Sequence, residues 1–314
     1  MKQIRKNLKE YLHSLHNGVP LKKNSARHLY DDSVEPYTRK ASLSIILFIL
    51  TFASTAYVGT RFFSPAGTAH LEAFLRGGLP YSISLLFILS CHEFGHFFAA
   101  VAFGVKTSYP YFIPFPSLIG TMGAVINIKS AIPNRRALLY IGASGPIAGF
   151  IASAVILAVG MYFSEIKPLP PIDSGAIVLG EPLLVKIIVY FMYYYIPWGQ
   201  DLVLSPLAAA GWVGCLVTSI NLMPLGQLDG GHILYAIAAK IQKAAGWAAF
   251  VAIIIMSYFF IGWLIWIPLI LIIIKVGHPP VAEDVKLSLG ERLMGLVCIA
   301  ILALTFIPVP IRFL

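Results

Sequence analysis

Long apolar intervals without charged residues dominate the chain, and each is close to the length that crosses a bilayer. About 20 apolar residues span the hydrocarbon core, and a charge at its centre is costly. The predicted spans are 41–60, 77–105, 137–164, 202–228, 244–274 and 293–311. The fifth is too long for one straight helix, so we expect it to be tilted or broken near Gly262. The pattern predicts an all-α polytopic membrane protein with about six transmembrane helices.

Two apolar stretches do not fit a spanning helix. Residues 187–200 are too short to cross, and their run YFMYYYIPW carries aromatic residues that favour the membrane–water interface, so we predict a surface or re-entrant helix. Residues 109–128, YPYFIPFPSLIGTMGAVINI, contain Pro110, Pro114 and Pro116, which interrupt helices. This second stretch therefore lies in a loop between the second and third spans.

Composition supports the membrane assignment. Hydrophobic residues make up 58% of the 314 residues, charged residues make up 12%, and the mean hydropathy is +0.80. The net charge of +9 comes from Lys and Arg between the apolar intervals, as in cytoplasmic flanks of membrane helices, so no nucleic-acid partner is expected. Cys91, Cys215 and Cys298 lie in apolar runs and predict buried thiols rather than a disulfide framework.

The distribution of charge predicts an orientation. Residues 1–40 are polar and basic without a signal-peptide core, so we expect a cytoplasmic extension. The loop 106–136 carries basic residues and no acid, and Lys240 and Lys243 follow the fourth span, so both regions are expected inside. The mixed-charge loop 165–186 then falls outside. The lack of a transit-like N-terminus favours a prokaryotic plasma membrane.

The second span contains ionisable residues in the sequence FILSCHEFGHFFAAVAFG. His92, Glu93 and His96 form H-E-x-x-H, and on a helix both imidazoles face one way and can hold one Zn²⁺. Glu93 lies beside the metal, where it can take a proton from an attacking water. Cys91 points about 100° away from His92 and is not expected to be a ligand. The other interpretation is that the three polar side chains only hydrogen-bond to one another where helices pack. Burying ionisable groups in a membrane is energetically unfavourable, however, and such groups are found mostly at functional sites.

Catalytic zinc sites usually have three protein ligands, so one must come from elsewhere. The stretch NLMPLGQLDGGH, residues 221–232, ends the fourth apolar interval. Asp229 is a lone carboxylate there, followed by two glycines that permit close backbone approach, and Pro224 interrupts a regular helix. His232 is a rival third ligand, because imidazole also suits zinc. By itself the stretch would predict only an Asp-Gly turn at a helix end.

Together, H-E-x-x-H and N-x-x-P-x-x-x-x-D-G on two spans resemble the site-2 protease family, intramembrane zinc metalloproteases of peptidase family M50. The resemblance implies one Zn²⁺ per chain held by His92, His96 and Asp229. It also implies Glu93 as catalytic acid/base and Asn221 as a polar contact to substrate or to the developing oxyanion. In the family, the segment that corresponds to the proline-containing loop 109–128 forms a β-hairpin that enters the membrane beside the active site.

The predicted organisation has four parts, which are a cytoplasmic extension 1–40, a first transmembrane helix 41–60, a catalytic core 77–274, and a C-terminal loop with the last helix 275–314. The loops are too short for the PDZ domain of some family members, which predicts a compact member without one. GPIAG, residues 145–149, resembles a small-residue motif of the family, and close helix packing explains it equally well. His278, followed by Pro279 and Pro280, is interpreted as a helix stop.

The predicted function is hydrolysis of a peptide bond within or near a transmembrane segment of a membrane protein in the lipid bilayer. An exposed edge of the hairpin could pair with an extended substrate strand. A metal transporter or a non-catalytic metal-binding membrane protein would use the same ligands, but a transporter should show further polar residues along a path. A prenyl-protein-type protease would have a glutamate as third ligand, which Asp229 disfavours.

Overall fold

The computed structural model describes residues 41–64, 67–171, 175–265, 267–268, 271, 281 and 283–313. The extension 1–40 and the His278-Pro279-Pro280 segment lie outside the described residues, so the expectations for them stay predictions. The described part is mostly helical. Its helices are α1 Ser42–Phe62, α2 His70–Ala102, α3 Arg135–Tyr162, α4 Leu183–Tyr193, α5 Pro206–Asn221, α6 Asp229–Phe259 and α7 Leu289–Thr305.

Four of the described helices are long and apolar enough to cross a membrane, namely α1, α2, α3 and α6. Helices α4 and α5 are shorter apolar helices. The last predicted span, 293–311, overlaps α7, which has 17 residues. A mostly helical protein with membrane-spanning segments is therefore confirmed, whereas the number of six spans is not.

Helix α6 corrects the predicted boundary between the fourth and fifth spans. The predicted spans 202–228 and 244–274 leave Lys240 and Lys243 between them, but α6 begins at Asp229 and continues past both lysines to Phe259. The backbone is non-helical only at Ala238 (φ −148°, ψ 66°), so both lysines follow a kink and their side chains are exposed. The prediction was wrong here because Lys is a good helix former, and its charge requires exposure rather than a loop.

The fourth predicted span is also shorter than its apolar interval. Ser205 caps α5 by accepting from the Ala208 amide at 3.2 Å, and Pro206 occupies the first helical position. Helix α5 ends at Asn221, and residues 222–228, which include Pro224, are not helical. Asp229 consequently opens the next helix instead of closing this one.

Helix α3 is the central helix and contacts α2, α5, α6 and α7. Asn134 caps it by accepting from the Ala137 amide at 2.9 Å. Small residues let α3 and α5 approach closely, since a Cβ on Gly211 would lie 2.7 Å from the Cα of Leu157. This packing fixes the position of α3 beside the helix that carries H-E-x-x-H.

A β-hairpin follows α2, as the resemblance predicted for this loop. Strands β1 (Tyr111–Pro114) and β2 (Thr121–Val125) pair antiparallel, with Phe112 opposite Ala124. Helix α1 packs on β1, and the rings of Phe48 and Phe112 meet edge to face at 5.0 Å. In the first half of α2, the Tyr81 hydroxyl donates to the Ile119 carbonyl at 3.0 Å, which holds the turn of the hairpin.

Two further antiparallel pairs cover one end of the helices. Strand β3 (Glu165–Pro168) pairs with β5 (Gln200–Val203), and β4 (Ile177–Leu179) pairs with β6 (Ile311–Phe313). We call these strands and α4 the cap. The Trp212 indole of α5 donates to the Gly180 carbonyl at 2.6 Å and ties the cap to the helices. The surface or re-entrant helix predicted from 187–200 corresponds to α4, which starts earlier and ends at Tyr193.

Replacing Gly211 by Ala tests the packing of α3 on α5. The added methyl would meet the backbone of Leu157, and overpacking of this kind costs about 1–3 kcal/mol. We expect Gly211→Ala to lower the melting temperature in detergent. Gly290→Ala is the matched control, because a Cβ there meets nothing within 4 Å. Equal melting temperatures for the two variants would contradict the close packing.

Candidate metal centre

The two histidines of H-E-x-x-H lie on one face of α2, as the spacing predicted. Both side chains are buried, and their Nε2 atoms are 3.2 Å apart. The helical repeat brings positions i and i+4 together, so no distortion of α2 is needed. The local sequence therefore sets this pair before any other element contributes.

Asp229 joins the pair from α6. Its Oδ2 atom lies 3.3 Å from Nε2 of His92 and 3.3 Å from Nε2 of His96. The two glycines that follow are required by close approach, because a Cβ on Gly230 would collide with the Leu222 carbonyl. The Asp-Gly-Gly sequence thus lets the start of α6 fold tightly against the segment that follows α5.

The hydrogen bonding of His96 leaves a place for a cation. Its Nδ1 lies 2.6 Å from the carbonyl oxygen of Ile141 on α3. A carbonyl only accepts, so Nδ1 carries the proton and Nε2 of a neutral imidazole is a bare acceptor. That acceptor faces a carboxylate oxygen of Asp229 at 3.3 Å. Only a proton or a metal cation between the two buried acceptors removes this repulsion.

The separations of the three donor atoms fit zinc. Zinc binds imidazole nitrogen and carboxylate oxygen at about 2.0–2.2 Å, which puts the ligand atoms of a tetrahedral site about 3.3 Å apart. The distances among His92, His96 and Asp229 are 3.2 and 3.3 Å. Two imidazoles and one carboxylate are also a common donor set of catalytic zinc sites. Of the described residues, these three form a group whose donor atoms lie within 4.8 Å of one another.

Glycines of α3 shape the space behind the histidines. A Cβ on Gly145 would overlap the imidazole ring of His96, and one on Gly149 would lie 2.8 Å from Nδ1 of His92. That Nδ1 is buried without a hydrogen-bond partner in the described structure. The GPIAG motif therefore packs directly on both rings, which the sequence alone could not decide.

Two predicted catalytic residues border the cluster. The buried carboxylate of Glu93 is close enough to His96 and Asp229 to interact with them electrostatically, and the backbone amide of Ile126 hydrogen-bonds to it. Asn221, the last residue of α5, places its side-chain nitrogen 3.3 Å from Nε2 of His92. The end of β2 and the end of α5 thus both reach the candidate centre.

The other candidate residues lie outside the group of converging donors. His232 is one turn into α6 from Asp229, and its Cβ packs against α3, 3.0 Å from the position of a Cβ on Gly142. Cys91 is half-buried and is not in the group. The Ile141 carbonyl, which sets the tautomer of His96, was missed, because a backbone contact between helices leaves no signal in the sequence.

Comparison with known proteins agrees with this site. The model of Peptidase family M50 matches residues 80–265, more than half of the chain and the whole of the candidate centre. The chain belongs to peptidase family M50. This confirms the resemblance that the two motifs gave. The matched region of this M50 chain begins within α2 and ends at residue 265, so α1 and α7 lie outside it.

Plant proteins are among the relatives of this M50 chain. It is 31% identical to a probable zinc metalloprotease, chloroplastic EGY1 of Arabidopsis thaliana, over 85% of this chain and 53% of the relative. It is 28% identical to the probable zinc metalloprotease EGY2, chloroplastic, of the same plant, over 76% of this chain and 43% of the relative. The chain thus spans about half the length of these relatives. The site-2 protease from Methanocaldococcus jannaschii is a solved structure 21% identical to the chain, with a TM-score of 0.35, covering 77% of this chain and 91% of that one.

Replacing Gly145 by Ala tests whether α3 shapes the metal centre of this M50 chain. The new methyl would displace the His96 ring from the group. Because disturbing the support of a metal ligand typically costs about 10–100-fold in affinity, we expect the purified variant to hold less zinc by elemental analysis. Gly142→Ala is the matched control on the same helix, because it presses on His232. Equal loss in both variants would indicate general damage to α3.

Proposed function

We propose that the chain is an intramembrane zinc endopeptidase that hydrolyses a peptide bond within or near a transmembrane segment of a membrane protein. The observation that carries this proposal is the convergence of His92, His96 and Asp229 at 3.2–3.3 Å, with the Glu93 carboxylate beside them. Membership of family M50 and the names of the plant relatives support zinc and proteolysis.

His92, His96 and Asp229 are the proposed ligands. When bound, zinc supplies Lewis-acid chemistry, because it polarises a carbonyl and lowers the pKa of water. The Ile141 carbonyl keeps the proton of His96 on Nδ1, so Nε2 is free to bind. His232 is not needed in this assignment.

Glu93 is the proposed general acid and base. Its carboxylate would take the proton of the attacking water and deliver it to the leaving amine. The Ile126 amide hydrogen-bonds to this carboxylate and orients it. Since Ile126 directly follows β2, the residue that moves the proton is held by the same strand that borders the substrate.

Asn221 is the proposed contact to the developing oxyanion. Its side-chain amide carries two donor hydrogens and lies within 3.3 Å of the His92 nitrogen at the centre. Donors aimed at a developing charge stabilise the transition state in a site that excludes water. From the end of α5, this amide would lie beside the reacting carbonyl.

The hairpin is proposed to be re-entrant, as the family resemblance implied. It starts after Ala102, the end of α2, and its turn contacts Tyr81 in the first half of the same helix. The 21 residues between them rise about 31 Å, close to the thickness of a hydrocarbon core. Non-helical backbone at that depth is tolerated where protein or a cavity surrounds it, and α1 covers β1 on one side.

Strand β2 offers the proposed site for an extended substrate. In the described sheet, β2 pairs with β1 alone, so its second edge has no strand partner. A scissile segment must be extended, because a helix keeps its carbonyls in internal hydrogen bonds. Pairing along β2 would bring that segment to Ile126 and hence to Glu93.

The protein is integral to a membrane, and the finer location is a proposal. The basic charges between the spans favour a cytoplasmic N-terminus. The plant relatives are chloroplastic by name, so they lend no support to the expected prokaryotic plasma membrane. The proposed partners are a membrane-protein substrate and the surrounding lipid.

Replacing Asp229 by Ala tests the three-ligand assignment. Removing one of three ligands leaves two imidazoles, which are too few for a stable catalytic site. We expect the purified variant to contain less than about a tenth of the wild-type zinc by elemental analysis. His232→Ala is the control and should retain zinc. Loss of zinc in His232→Ala with retention in Asp229→Ala would reverse the assignment.

Replacing Glu93 by Gln tests the reaction itself. Glutamine keeps the size of the side chain but cannot accept the proton, so we expect proteolysis to fall at least about 100-fold while zinc is retained. The assay incubates the purified chain with a detergent extract of membrane proteins and maps new N-termini by mass spectrometry. Wild type should create termini within transmembrane segments.

Glu72→Gln is the matched control for this experiment. Glu72 lies on the same helix but is exposed and paired with Arg76 at 3.2 Å. This variant should cleave as wild type does. If Glu93→Gln produced the same new termini as wild type, the proposed proton transfer would be wrong. Zinc uptake by vesicles containing the protein, without new termini, would favour the transporter alternative.

A further inference from the structure

A cavity lies between the cap and the helices, away from the candidate metal centre. Its volume is about 330 Å³, near the lower end of the range for ligand pockets. Apolar side chains dominate its walls, among them Val58 of α1, Val185 of α4 and Trp212 of α5. Tyr81 also lines it, eleven residues before His92 on α2, which separates the two sites by about 16 Å along the helix.

The turn of the hairpin forms one wall of this cavity. Leu118 and Ile119 line it, and β2 leads from there toward Glu93. Three large apolar side chains along this path are exposed, Leu118 at 46%, Met122 at 62% and Val125 at 48%. Ile119 and Ile126 are seven residues apart in sequence, which corresponds to about 23 Å in an extended chain. The proposed substrate edge thus runs from the metal centre to the mouth of the cavity.

The charged residues of the cavity lining favour a peptide over an anionic lipid. Lys167 is its only lining cation among the described residues, and its ammonium is paired with Glu165 at 2.7 Å. Glu181 and Asp201 add two carboxylates. This surface would repel phosphate and fatty-acid headgroups, whereas it accepts a neutral apolar side chain without an electrostatic penalty.

We propose that this cavity binds a large aliphatic or aromatic side chain of the extended substrate, about seven residues from the scissile bond. The inference rests on the proposed function and adds a specificity site to it. Substrates would be selected by an anchor residue near the end of the transmembrane segment that lies under the cap. A bond would then be cut at a fixed distance from that anchor.

The test uses the full chain with Glu93→Gln in lipid nanodiscs, so that the probe stays intact. The probe is a synthetic peptide with an apolar Leu, Ala, Gly and Ser segment and Lys at both ends. A photoreactive benzophenone side chain is placed at one peptide position at a time, and crosslinked residues are mapped by mass spectrometry. We expect one position to crosslink beside Ile126 and a position about seven residues away to crosslink to the cavity walls.

Filling the cavity provides the decisive variant. Val189 of α4 lines the cavity and is only partly buried, so Val189→Phe should fold and occupy the space. We expect its cavity crosslinks to fall about tenfold, the loss expected when one large apolar side chain is no longer buried. Ile187→Phe is the matched control, two residues away on the same helix, exposed and outside the lining. It should crosslink as the parent does.

The outcomes separate this inference from the proposed function. Crosslinks beside Ile126 without crosslinks in the cavity would overturn the anchor site and leave the protease intact. Crosslinks at neither place would contradict both the anchor and the substrate edge, while the mapping of new N-termini by wild type tests proteolysis independently. Crosslinks of the cavity to a benzophenone phospholipid that the peptide does not displace would make it a lipid site instead.

Discussion

The candidate metal centre depends on two buried acceptor atoms that face each other, Nε2 of His96 and Oδ2 of Asp229. The nitrogen of His96 that faces Asp229 cannot carry a proton in a neutral ring, because the Ile141 carbonyl holds that proton on the other side. A proton or a metal cation has to lie between α2 and α6 at this point, and α3 supplies both the carbonyl and the space for the rings. Three other segments contact this centre or permit its close packing. They are the glycines of α3, the Asp-Gly-Gly start of α6 and the end of α5.

The part of the site that lies within one helical turn could be predicted from the sequence. His92 and His96 are one helical turn apart, so their convergence follows from the helix alone. The third metal ligand could be predicted only as Asp229 or His232, because both lie in the same short stretch. The choice between them depends on how α6 packs against α2. The family resemblance favoured Asp229, and the described geometry brings its carboxylate to the histidines.

Charge was a poorer guide to the boundaries of elements than to the site. Lys240 and Lys243 suggested a loop, yet they lie exposed on α6 beyond a kink at Ala238, since hydropathy reports where a side chain meets water and not where the backbone turns. The sequence shows that Gly145 and Gly149 are small residues of one motif. It does not show that the rings of His96 and His92 occupy the space beside them. Contacts between distant helices decide such roles.

The first helix has a consequence for how the protein can diversify. It lies outside the M50 match, yet it packs on β1 and supplies a wall of the cavity under the cap. The ligands of the candidate metal centre and one wall of this cavity are therefore held by separate stretches of chain. Changes in α1 would therefore reshape the cavity while the residues of the candidate metal centre stay the same.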